Sequence, residues 1–322
     1  MSTPMTAERG THWAQINEFS FVAGMRLLYW VAQIFGRRPL RFILYPIALW
    51  YLFAKPTARA ASRAYLGRIA RANPTLKIHP GLLGVLRHFV SFGESILDKM
   101  LLWSGSFDAN SVKFHGLEII VEQIAARRGG ILICAHLGNL ELCRVLARRE
   151  PGLSLTVLLH TLHAVRFNRL LAQLNPASGV NLMQVTEVTS ATAVMLADKV
   201  AAGEFVAIAG DRIPVTANGR VASAKFVGDT ARFPVGPYVL ADLFRCPIYL
   251  LFSLRAEHGW EIHFEPFRDS IELPRRGRDN ALAALVADYS GRLEYFCQRA
   301  PLEWFNFYDF WHASSMEQAD AP

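Results

Sequence analysis

Long uninterrupted apolar runs are missing from this 322-residue chain. Phe21 to Phe35 is broken by Arg26, and Phe42 to Ala54 leaves only 13 residues between Arg41 and Lys55, with Pro46 among them. A bilayer-crossing helix needs about 20 apolar residues, so neither stretch is a clean span. No secretory leader is visible either. Glu8, Arg9 and His12 are followed by more polar residues and no small-residue cleavage site closes the apolar stretch, so the chain is expected on the cytoplasmic side. Lysine stands only at 55, 77, 99, 113, 199 and 225, so arginine carries most of the +7 formal charge. Arginine pairs bidentately with phosphate and carboxylate. That leaves anionic lipid headgroups, nucleic acid or an acidic carrier protein as partners. Nucleic acid is set aside, because no basic run is interleaved with exposed aromatics and no nucleic-acid motif occurs. The four cysteines (134, 143, 246, 297) form no CxxC pair and no metal-ligand spacing, so the thiols read as reduced and buried. Cys134 and Cys143 sit among Ile, Leu and Val, surroundings that raise a thiol's pKa and argue against a nucleophile.

The composition that remains is apolar. A hydrophobic fraction of 52% against 19% charged residues suggests a membrane-facing surface. Phe42, Tyr45, Trp50, Tyr51 and Phe53, with Arg37, Arg38, Arg41, Lys55, Arg59 and Arg63 at the margins, fit an interfacial or re-entrant anchor; the alternative is a buried helical hairpin. Residues 1–56 are therefore assigned to an N-terminal membrane-associated helical segment. Periodicity predicts helices through Ala60 to Ala72 and Leu82 to Leu102, broken at Asn73-Pro74. From about residue 110 short apolar runs alternate with amphipathic segments, which is an α/β pattern. Ile131 to Ala135, Leu155 to Leu159, Phe205 to Ala209 and Ile248 to Leu254 read as strands, with Trp260 to Phe264 as an edge strand. Helices are expected at 138–149, 164–174, 189–202, 235–245 and 279–299. The α/β domain is taken as 57–312 and a polar tail as 313–322.

His136 follows the first of those strands directly and precedes Gly138-Asn139, a turn that can open the next helix; Glu141 comes five positions later. On such a path the carboxylate can hold one imidazole nitrogen while the other faces substrate, a general-base dyad without a protein nucleophile. Spacing alone has little weight, since His312 and Glu317 repeat it in the polar tail with no strand before them. Placement separates the two pairs.

With that placement, the segment from Ile131 to Glu141 resembles the first motif of the lysophospholipid acyltransferase superfamily. Gly203 to Arg212 resembles that family's strand ending in an acidic residue, and Lys225 to Pro237 resembles its substrate-binding block. Across about residues 20–312 the chain is most similar to the bacterial branch containing the late acyltransferases of lipid A biosynthesis. The resemblance implies an α/β acyltransferase core of mixed sheet flanked by helices, with an N-terminal helical membrane anchor. It implies an enzyme at the cytoplasmic face of the bacterial inner membrane that moves an acyl group from an acyl carrier protein or acyl-CoA to a hydroxyl of a lipid acceptor, with no cofactor. The ending Pro301 to Trp311 lacks the His and Arg typical of the lipid A enzymes. It resembles a sub-branch found with aryl-polyene pathways, which leaves the acceptor open.

His136 and Glu141 are thus the expected catalytic pair. The substrate-binding set is Gly138, Asn139, Asp211, Arg212, Phe226, Gly228, Arg232 and Gly236. Asp211 and Arg212 end a buried strand where α/β proteins bind ligands, or form a solvated turn. Arg232 is a phosphate or pantetheine contact, or a surface residue. Gly228 and Gly236 shape a donor pocket, or punctuate loops. Arg166 and Arg169 read as a solvated helix face, or pair with an anionic acceptor or with carrier-protein acids. Backbone N–H groups around Gly138 and Asn139 are candidates for binding an oxyanion. The rival readings are an α/β thioesterase or lipid hydrolase, weakened by the absence of a GxSxG elbow, and a non-catalytic lipid-binding protein.

Overall fold

Five consecutive buried residues, Gly130–Cys134, form β2, a strand that only a sheet covered on both faces can accommodate. A computed structural model describes residues 37–103, 107–150, 152–159, 180–184, 189–213, 220–257 and 259–311. Outside them lie the stretch Phe21 to Phe35, the expected helix at 164–174 with Arg166 and Arg169, and the tail 313–322. β2 sits near the middle of a seven-stranded mixed sheet of order β1-β9-β8-β2-β5-β3-β4. Its members are β1 (Val112–His115), β3 (Leu155–Leu159), β4 (Val180–Gln184), β5 (Phe205–Ala209), β8 (Ile248–Ala256) and β9 (Gly259–Arg268). β2 pairs in parallel with β5 and β8, while β9 returns antiparallel to β8. The expected edge strand at Trp260 to Phe264 is interior instead, because β1 pairs onto its far side. A separate antiparallel hairpin joins β6 (Val221–Phe226) and β7 (Asp229–Pro234).

Side-chain alternation along β2 splits the core. Ile131 and Ile133 face one buried cluster, Leu132 and Cys134 the other. The first cluster receives α1 (Arg37–Ala54), α2 (Pro56–Ala72), α3 (Leu82–Trp103), α6 (Ser190–Ala201), α7 (Gly236–Phe244) and α8 (Arg278–Arg299). The second is covered by α4 (Leu117–Ala125) and α5 (Cys143–Arg149). The helix expected to start at 138 starts later, after a 3-10 turn at Leu140–Leu142.

The N-terminal segment is described from Arg37 onward. Among the described residues no helix is long and apolar enough to cross a membrane. α1 instead packs Leu44, Ala48 and Leu52 inward while Phe42, Trp50 and Phe53 stand 81%, 65% and 64% exposed. Tyr45, Ile47 and Leu49 are also exposed.

Candidate active site

Two neighbouring strands deliver the central pair. β2 and β5 run in parallel with Gly130 opposite Phe205 and Cys134 opposite Ala209, so each β2 residue faces the β5 residue 75 positions later. His136 and Asp211 are also 75 apart. They leave the sheet at the same level on its C-terminal edge, where α/β sheets bind ligands. The Gly210 N–H still donates to the Cys134 carbonyl at 2.8 Å, carrying the register up to Asp211.

Asp211 is fully buried. Its Oδ1 lies 2.8 Å from His136 Nδ1, and its Oδ2 accepts the His136 backbone N–H at 2.8 Å. Trp304 Nε1 and Asn306 Nδ2 donate to that Oδ2 at 2.9 and 3.1 Å. Burial alone would raise the carboxyl's pKa. The His136 ring, the Arg212 charge and the His136 N–H outweigh it and hold the pKa below the ordinary value. An ionised carboxylate only accepts, so Nδ1 carries the proton and Nε2 keeps its lone pair. The His136 side chain is 30% exposed. Burial first, and then the Arg212 charge, push its pKa down against the upward pull of Asp211. A neutral imidazole in this tautomer is equipped to take a proton.

The imidazole nitrogen reserved for Glu141 by sequence is therefore occupied by Asp211. Glu141 lies in the 3-10 turn, its N–H held by Asn139 Oδ1 at 3.1 Å. The two backbone N–H groups considered for an oxyanion are already engaged. Gly138 donates to the Glu303 carbonyl at 2.9 Å and Asn139 to Ser253 Oγ at 2.8 Å. Gly138 has φ +63, and a Cβ there would stand 1.9 Å from the Ser253 carbonyl oxygen, so glycine is needed to seat the loop on β8.

Arg212 donates from Nε to Asn306 Oδ1 at 2.8 Å and from Nη2 to the Phe305 carbonyl at 3.0 Å, beside the imidazole. Phe226 is fully buried, stacked on Trp311 and edge-on to Trp304, so it supports the site from behind. Gly228 (φ +89), with Val227, makes the tight turn of the β6-β7 hairpin. Arg232 stands on β7 opposite Ser223, and Gly236 opens α7. Burial pushes the Cys134 thiol well up, which leaves no nucleophile there. His115, Glu261 and His263 cluster at β1 and β9, but the two rings stack in parallel 4.3 Å apart and Arg299 already binds Glu261. Parallel rings cannot both aim an in-plane lone pair at one ion.

Sequence reasoning missed Trp304 and Asn306, which sat in the Pro301 to Trp311 ending read for its bearing on the acceptor. The available signal was their two-residue spacing, which puts both on one side of an extended strand. A groove of about 540 Å³ is lined by Tyr45, Arg87, Ser91, Glu94, Arg255 and Glu303 among others, and neither His136 nor Asp211 is among its lining residues.

A mixed sheet that presents a neutral histidine on a buried carboxylate at its C-terminal edge defines a general-base group-transfer or hydrolytic protein. Residues 89–312 match the family described as bacterial lipid A biosynthesis acyltransferase, and the chain belongs to that family. It is an acyltransferase acting on lipid, with an acyl donor and a lipid acceptor. Comparison with curated proteins gives no match.

Proposed function

We propose that this acyltransferase moves a fatty acyl or aryl-polyene acyl group from an acyl carrier protein or CoA thioester to a hydroxyl of a lipid acceptor, without an acyl-enzyme. The observation that carries this reading is the 2.8 Å hydrogen bond between His136 Nδ1 and Asp211 Oδ1. It sets the tautomer in which Nε2 can act as base. Nε2 removes the acceptor hydroxyl's proton as that oxygen bonds to the thioester carbonyl carbon, and the carbonyl pair moves onto its oxygen. The carbonyl re-forms as the C–S bond breaks. The thiolate leaves with the proton carried by the imidazolium, which Asp211 stabilises in the interval.

In this proposal Arg212 supplies positive charge toward the oxyanion, since Gly138 and Asn139 have spent their N–H groups elsewhere. Glu141 is kept in this proposal as the second carboxylate of the site, in the 3-10 turn that follows Gly138. The exposed aromatic face of α1 supports a monotopic seat on the cytoplasmic face of the inner membrane. The missing His and Arg in Pro301 to Trp311 favour an acceptor other than the lipid A precursor, in the manner of the aryl-polyene sub-branch.

Lipid mass spectrometry of cells carrying the parent chain or a folded His136→Ala variant tests the reading. Loss of one acylated lipid species supports it. An unchanged lipid profile, or release of free fatty acid with no acylated lipid, contradicts it.

A further inference from the structure

We propose that Trp304 and Asn306 are positioning residues of the acyl-transfer site, whose side-chain N–H groups hold Asp211 in the rotation that presents Oδ1 to His136. This rests on the reading of His136 as the general base. Oδ2 collects three N–H donors, from His136, Trp304 and Asn306, which leaves Oδ1 turned toward Nδ1. Two of the three come from the segment after α8.

That segment is locked beside the histidine. Leu137 and Trp304 form an antiparallel bridge. Phe305 N–H donates to the His136 carbonyl at 2.8 Å and Gly138 N–H to the Glu303 carbonyl at 2.9 Å. From behind, His88 Nε2 donates to the Trp304 carbonyl at 3.0 Å while His88 Nδ1 accepts from Ser62 Oγ at 2.8 Å. The orientation of Asn306 follows from its neighbours. A guanidinium only donates, so Oδ1 faces Arg212 and Nδ2 is left for Asp211.

Packing alone would not require these residue types. The Trp304 ring is fully buried against Tyr65, Phe226 and Phe310, and a phenylalanine could fill much of that space. What phenylalanine lacks is the indole N–H, aimed at the carboxylate at 2.9 Å. Without that donor the carboxylate is freer to rotate and keeps more of its charge for the ring. His136 should then hold a proton more tightly and be presented less accurately.

The test uses the full-length protein with ring-15N-labelled histidines, titrated by NMR, with His136→Gln locating the signal and thioester-to-lipid transfer assayed in parallel. For Trp304→Phe and for Asn306→Leu, the acidity of the His136 ring should fall about threefold or more. kcat should fall roughly 10- to 100-fold with KM within about twofold of the parent. Phe310→Leu, which removes a ring neighbour of Trp304, should lower stability and leave both readings unchanged. If Trp304→Phe does not fold, Asn306→Leu decides by the same two readings. Folded variants that keep the parent's His136 titration and kcat overturn the proposal. A parent that transfers no acyl group while the titrations still shift would sink the functional reading and leave the positioning role standing.

Discussion

Asp211 and asparagine differ by one atom and one charge, yet the exchange should stop the chemistry. An amide at 211 can donate to Nδ1, which moves the imidazole proton to Nε2 and removes the base. Transfer by Asp211→Asn should fall by roughly 10³-fold or more with the fold retained, as measured by transfer rate and circular dichroism. Gly138→Ala tests the loop instead. A Cβ 1.9 Å from the Ser253 carbonyl oxygen, at φ +63, must displace the turn. Urea unfolding should show a loss of about 2 kcal/mol or more. His136 was legible in the sequence because a buried strand and a glycine turn frame it. Its Nδ1 partner was not, since adjacency in the chain pointed to Glu141, whereas Asp211 is reached only through the 75-residue register of β2 on β5. Asp211 itself stood out as an ionisable residue ending an apolar strand. Trp304 and Asn306 were hidden among aromatics, where a two-residue spacing marks a shared strand face but not the hydrogen bonds made from it.

Elements with strong periodicity were readable, as α2, α3 and α8 and strands β3 and β5 fall close to where alternation and apolar runs placed them. Four strands were not. β1 carries Lys113 and His115, β4 has Asn181 and Gln184 among its five residues, and β6 and β7 mix small and charged residues, so none forms the apolar run of a central strand. Helix α1 was legible as apolar but not as a span, and its exposed face gives the membrane proposal its test. Phe42, Leu49 and Phe53 recur at helical spacing on that face, with Tyr45 and Trp50 beside them. Changing Phe42, Trp50 and Phe53 to serine should weaken binding to anionic phospholipid vesicles by roughly tenfold per site in a sedimentation assay. Vesicle binding equal to the parent's would remove α1 as the seat.

Across the whole molecule, two groups flanking the Trp304 segment make stability depend on pH in opposite senses. Burial pushes His88 down to about 4 from 6.5. The unfolded chain therefore binds the extra proton first, and stability drains away as pH falls from 6.5 to about 4, by on the order of 3 kcal/mol. Burial, with Asp98 and Glu94 adding to it against Arg255, pushes Glu303 up to about 7. Its contribution is complete below 4.5 and is lost as pH rises through 7. The two windows overlap between pH 4.5 and 6.5 with opposite slopes, so in urea unfolding from pH 4 to 8 His88→Gln should leave stability falling more steeply with rising pH across that range, and Glu303→Gln should leave it rising more steeply. Unaltered profiles in both variants would show that neither group is coupled to folding.

The central claim is that a neutral His136, held by Asp211, takes the acceptor's proton. The direct measurement is thioester-to-lipid transfer by purified, folded His136→Ala across pH 5 to 8. The account predicts a rate lowered roughly 10²- to 10⁴-fold and without the acid limb that the parent shows below the ordinary histidine pKa. Transfer at the parent's rate with the same acid limb would contradict it.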